Sequence, residues 1–158
     1  MAPSDHKDYS GTPLWRKLGI TEGARVLLAG APDDLALDAL AALPAGVEFL
    51  DRAGRDVDVV VLFATRAAEV RRRFPSLTRA IAPAGRLWVA WPKKAAKVDT
   101  DLSFNEVQTI GLSAGLVDNK SGSITDVFQG LQFVRRVKDR PHGTARAAKP
   151  STADASVP

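Results

Sequence analysis

The stretch GRLWVAWPKKAAKVDTD, residues 85–101, decides the fold. Leu87, Trp88, Val89, Ala90 and Trp91 follow one another without a polar residue. Successive side chains of a strand point to opposite faces, so a run that is apolar on both belongs to a strand covered on both sides, as in parallel α/β sheets. Pro92 ends the run, and Lys93, Lys94 and Lys97 follow within five residues. Ser103-Phe104-Asn105-Glu106 then has the Ser-x-x-Glu spacing of a capping box, where serine and glutamate each satisfy a free backbone amide at a helix start. A buried strand therefore runs through a basic loop into a helix.

Upstream, Thr65 opens a helix whose stripe is Val70, Phe74, Leu77 and Ile81, with Pro75 expected to kink or restart it and Ala82-Pro83-Ala84-Gly85 to turn the chain into the strand. Arg71, Arg72 and Arg73 read as a solvated face with Glu69 as partner. Residues 57–63 and 26–29 are apolar runs suited to central strands, the latter ended by Gly30-Ala31-Pro32. A helix capped by Asp33 or Asp34 runs to about Leu43. Residues 47–51 form a short strand only five residues before the next, too few for a helical crossover. We read an extended crossover between parallel strands there, the alternative being a hairpin. Near the start, Thr12 as N-cap, Pro13 at the first helical position and Gly19 as terminator frame a short helix with Leu14, Trp15 and Leu18 on one face. Downstream, Val107, Ile110 and Ala114 form the buried face of the capped helix, Gly115 closes it, and residues 116–120 and 128–137 form an antiparallel pair at one sheet edge. The pattern is a three-layer α/β sandwich. Trp88 and Trp91 read as core residues capping opposite faces at the sheet edge; stacking of Trp91 on a base is the functional alternative.

The 158 residues, 45% of them hydrophobic, suffice for one compact domain, here residues 10–137 between disordered ends at 1–9 and 138–158. With no cysteine, disulfides, thiolate nucleophiles and sulfur-bound zinc are excluded. No apolar run has the length of a membrane span, and the first residues lack the apolar core of a signal peptide, so a cytoplasmic location without membrane contact is expected. From Arg135 onward six basic groups face two acidic ones, which accounts for the whole net charge of +4. The body is neutral, and any nucleic-acid association would run through the basic tail.

Two resemblances attach to these residues. The order of elements over residues 24–137, with the turn before Arg86 and the closing hairpin, resembles a trimmed class I methyltransferase domain of Rossmann-like fold. The segments Ser10-Gly11-Thr12-Pro13-Leu14, Leu28-Ala29-Gly30-Ala31-Pro32, Trp91-Pro92-Lys93-Lys94 and Gly115-Leu116-Val117-Asp118 resemble a family of small bacterial proteins classed as a domain of unknown function, which implies no catalytic residue. The methyltransferase resemblance implies S-adenosylmethionine at a glycine loop after the first strand. Gly30 matches the first glycine of that loop, whereas Leu28 stands at the usual acid and Pro32 and Asp34 at the later glycines. Asp51 matches the ribose-binding acid, and the family's third strand with its preceding helix is missing.

His6 and His142 both fall in the terminal segments, which removes histidine from the core, and the carboxylates have no metal-site spacing. We assign no catalytic residue, no metal and no cofactor, with S-adenosylmethionine only under the methyltransferase alternative. The expected role is a non-catalytic module binding a partner protein or a small anionic ligand at the strand ends, where open α/β sheets collect ligands. Its candidate residues are Ser10, Thr12, Gly30, Pro32, Asp51, Trp91, Lys93, Lys94 and Lys97.

Overall fold

The computed structural model describes residues 13–32 and 43–139. Their elements are α1 (Leu14–Leu18), β1 (Arg25–Ala29), β2 (Glu48–Phe49), β3 (Val57–Phe63), α2 (Ala67–Ala80), β4 (Ile81–Pro92), α3 (Phe104–Ser113), β5 (Leu116–Ser123) and β6 (Phe128–Arg135). Six strands form one sheet in the order β2-β1-β3-β4-β6-β5, with β2, β1, β3 and β4 parallel and β6 antiparallel to both β4 and β5. This is the expected mostly parallel α/β sheet with a C-terminal antiparallel hairpin. The helix expected after Gly30 falls largely outside the described residues, as does Thr12.

Burial on both faces explains the layers. On one face Val60, Leu62, Leu87, Val89 and Trp91 meet Val70, Phe74 and Leu77 of α2 and Val107 and Ile110 of α3. On the other, Val59, Val61, Trp88 and Ala90 meet Leu14 and Leu18 of α1. Trp88 and Trp91 lie on opposite faces, 1% and 2% exposed, each ring removing roughly 150–250 Å² from water. They do not sit at a sheet edge, because the hairpin adds β6 and β5 beyond β4. Trp88 Nε1 donates to the Leu18 carbonyl at 3.1 Å, which satisfies its buried polar end and docks α1.

The short link between β2 and β3 is an extended crossover, as expected: both strands run parallel to β1, on its two sides. Only Glu48 and Phe49 of the five-residue strand form a ladder, and Leu50 and Ala53 then pack against the α2 face. Arg25 holds this link from below. Its main-chain N–H donates to Asp58 Oδ2 at 2.8 Å and its Nη1 to the Arg55 carbonyl at 2.6 Å.

Several local expectations are corrected. Pro13 is the N-cap of α1 rather than its first helical residue. α2 begins at Ala67, not Thr65, because Asp101 from a distant loop accepts the Ala67 N–H at 2.7 Å and supplies the cap. Pro75 does not restart it: the helix runs unbroken to Ala80, held by the buried stripe of Val70, Phe74 and Leu77. Ile81 belongs to β4. The expected turn at 82–85 is an excursion within that strand, since Val57 pairs with Ile81 and Val59 with Arg86, leaving four residues opposite Asp58. Gly85 is needed there, because a Cβ would lie 2.8 Å from the Val57 carbonyl oxygen. Arg71 pairs with Glu106 of α3 and only Arg72 pairs with Glu69, so the capping box is half formed: Ser103 Oγ accepts the Glu106 N–H while the glutamate is drawn to Arg71. Ala114 is exposed as the C-cap of α3, and Gly115 follows at φ +93°. β6 stops at Arg135, and the chain enters a 3₁₀ turn, Val137–Asp139, where tail was expected from residue 138. Among the described residues no helix is long and apolar enough to cross a membrane.

α3 approaches β6 most closely at Gly111, where a Cβ would land on the Phe133 ring, itself edge-on to Phe74 with centroids 5.7 Å apart. Gly111→Ala gains up to about 1 kcal/mol of helix propensity but overpacks a rigid ring at a cost of about 1–3 kcal/mol. A net loss of about 1–2 kcal/mol is expected, read as a lower urea midpoint at unchanged slope. Asp101→Ala removes the remote cap of α2 and should cost about 1 kcal/mol by the same measurement.

Candidate functional site

The parallel strands β2, β1, β3 and β4 all end on one side of the sheet, and the candidates taken from the sequence fall into two groups along it. β3 separates β1 from β4, which puts the two strand ends roughly 10 Å apart.

Gly30, Pro32 and Asp51 make the first group. Gly30 has φ +73°, and a Cβ on it would sit 2.7 Å from the Phe63 carbonyl oxygen. The glycine is therefore required by a left-handed turn against the backbone of β3, whether or not a ligand approaches. Pro32 is half-buried in the same turn. Asp51 is exposed just beyond β2, one residue after Leu50, whose N–H donates to the Val26 carbonyl at 2.8 Å.

Trp91, Lys93 and Lys94 form the second group, turned away from the first. The Lys93 N–H donates to the Val127 carbonyl at 2.7 Å and its Nζ to Ser123 Oγ at 2.8 Å. Gln129 Nε2 donates to the Pro92 carbonyl at 3.3 Å. These bonds tie the end of β4 to the β5–β6 hairpin. The register sets Trp91, Gln129 and Ser123 side by side across three strands, on the face that α3 covers. α3 starts only at Phe104, and the small side chains Ser121 and Ser123 leave the sheet open beyond it. The result is a cleft of about 520 Å³ lined by Trp91, Lys93, Lys94, Phe104, Ser121, Ser123 and Gln129 along with Gly122 and Gly130. Its charged side chains are both cationic.

Trp91 is core, only 2% exposed; the aromatic surface available for stacking is Phe104, 43% exposed. Lys97, at φ +57°, is exposed past the 3₁₀ turn Lys94–Ala96 and does not line the cleft. The loop after it is fixed instead to the start of α2. Thr100 Oγ1 donates to the Thr65 carbonyl at 2.6 Å, Asp101 caps α2, and Asp99 pairs with Arg66. The hydrogen bond to Asp99, then its charge, holds the Arg66 guanidinium above its ordinary value. Ser10, Thr12, both histidines and the basic tail from Arg140 lie outside the described residues. Among the described residues no group of three or more His, Asp or Glu is placed to hold a metal ion.

Phe104, Ser121, Ser123 and Gln129 were not legible as site residues. In sequence they read as helix start and hairpin, and only the register of β5 on β6 and β4 gathers them.

No protein-family model matches the chain. No curated protein matches it either. Solved structures do. A candidate type 11 methyltransferase from Sulfolobus solfataricus superposes with a TM-score of 0.58 at 11% identity, over 91% of this chain and 99% of that one. The 1,6-didemethyltoxoflavin-N1-methyltransferase of Burkholderia thailandensis, solved with 1,6-didemethyltoxoflavin and S-adenosylhomocysteine, gives 0.51 at 13% identity over 77% and 74%. A candidate exported protein from Bordetella parapertussis gives 0.56 at 11% identity over 77% of this chain, which spans 65% of that one. At such identities the likeness is one of fold: the chain has the Rossmann-like architecture found in class I methyltransferases.

Proposed function

We propose that this domain is a binding module that takes a small anionic ligand with an aromatic or apolar body in the cleft at the end of β4. The observation that carries the reading is the lining itself. Lys93 and Lys94 stand beside an exposed Phe104 ring, two serine hydroxyls and an amide, with no acidic side chain among them. Such a set favours a negative charge at one end and a flat apolar surface at the other. Lys93 is held in place by Ser123, which makes it a positioned anchor rather than a free tether. The cleft volume of about 520 Å³ is within the range of small-molecule sites. The half-formed glycine loop supports recognition without methyl transfer, since the features of Gly30 follow from its packing on Phe63.

A probe and its neutral isostere test this reading. 2-Naphthoate should bind and 2-naphthamide should not, by ligand-observed NMR. Lys93→Ala with Lys94→Ala, and separately Phe104→Ala, should each weaken binding about tenfold, the loss of one charge contact or one stacking face. Equal binding of the two compounds, or binding unaffected by the lysine substitutions, rejects the site.

A second reading has Asp51 behind it. This acid follows β2, the strand beside β1, at the place where class I methyltransferases hold the ribose of S-adenosylmethionine. The missing third strand removes part of the adenine wall, so the binding-module reading expects no thermal shift with S-adenosylhomocysteine. A saturable rise in Tm with that compound, abolished by Asp51→Ala, would replace it with a methyltransferase-type site.

A further inference from the structure

At the opposite end of the sheet, the crossover, α2 and the end of β6 line a second, open-sided cavity of about 600 Å³. The crossover contributes Arg55 and Asp56, the last turns of α2 contribute Ser76 and Arg79, and Arg135 closes the wall from the end of β6. Its residues reach it from sequence positions some tens of residues apart, and its charged residues are three arginines and one aspartate. From this arrangement we infer a binding site for a phosphate group carried by a small molecule, independent of the lysine cleft and beyond the function proposed for it.

The walls are fixed. Asp56 has φ +54°, a conformation costly for a side chain other than glycine, and Arg25 Nη1 pins the Arg55 carbonyl from beneath at 2.6 Å. The 82–85 excursion of β4 brings Pro83 to the floor. Arg135 is immobilised by two bonds from Nη2, to the carbonyls of Thr78 at 2.9 Å and Ile81 at 2.8 Å. Its Nε is shut from solvent without a partner, which leaves Nη1 as the guanidinium nitrogen for the cavity. Arg135 thus also satisfies the C-terminal carbonyls of α2, but that role accounts for neither Arg55 nor Arg79. Both are exposed. A cavity lined by arginines from three separate elements suits the oxygens of a tetrahedral phosphate, since each guanidinium offers parallel N–H donors. The volume is ample for a nucleotide-sized molecule.

Titration calorimetry of the full chain with inorganic phosphate and with ADP tests the inference, using the Arg55→Ala, Arg79→Ala double variant. Both substitutions are on exposed side chains and leave the core intact. At least one ligand should bind saturably and at least tenfold more weakly to the double variant, the difference persisting when Lys93→Ala and Lys94→Ala remove the far cleft, and binding should be unchanged in Arg72→Ala on the exposed face of α2. Tighter binding of ADP assigns the rest of the cavity to the nucleoside, equal affinities assign the phosphate alone, and both support the site. No saturable binding of either at millimolar concentration, or equal affinity in the double variant, overturns it.

Discussion

Closure of the central strands on both faces is the constraint from which the rest follows. β3 is buried at six of its seven positions and β4 at all of its last six, so neither face can present a ligand site without losing core. Helices must cover both sides, and Trp88 and Trp91 can be accommodated only because one ring goes to each layer. What the faces cannot offer, the ends can. The two cavities lie at opposite ends of β4, one lined by Trp91 and Lys93 and the other by Ile81 and Pro83.

The polar residues of the body act mainly as fasteners between elements distant in sequence. Asp101 caps α2, Thr100 closes on the carbonyl of Thr65, Glu106 joins α3 to α2 through Arg71, and Lys120 Nζ donates to the Lys17 carbonyl at 3.0 Å. Each of these contacts spans more than thirty residues. Exposed ion pairs contribute little one by one, about 0–1 kcal/mol, so their effect is to select which helix face meets which strand more than to add stability. The basic loop shows this directly. Of its three lysines, Lys93 fastens the hairpin, Lys94 lines the cleft and Lys97 turns the chain.

How much of this was legible depends on whether the signal is local. The apolar run from Leu87 to Trp91 gave away a strand covered on both sides because alternation is a property of neighbours in sequence. Chain length favoured an extended crossover between β2 and β3 but left a hairpin open, and the pairing of both strands with β1 decides for the crossover. Pro75 misled because its local preference is weaker than the burial of Val70, Phe74 and Leu77 around it, and Ser103 gave half a capping box because Arg71, a remote residue, competes for Glu106. The lysine cleft was half legible, its cations contiguous in sequence but its aromatic and hydroxyl side gathered only by register. Arg55 and Arg79 carried no signal, being single arginines in a loop and a helix, and Arg135 read only as the start of the basic tail.

The same abbreviation of the fold connects both ends. In the methyltransferase pattern a further strand and helix stand between the second strand and the one that follows; here residues 50–56 cover that distance, with Leu50 and Ala53 laid against the α2 face. At the upper end the shortcut leaves Asp51 exposed just beyond β2. At the lower end it forces the chain into a tight left-handed turn at Asp56 directly beneath α2, with Arg55 beside Arg79 and Arg135 in the wall of one cavity. The exposed Asp51 at one end and the arginine-lined cavity at the other are thus two consequences of one short path across β1.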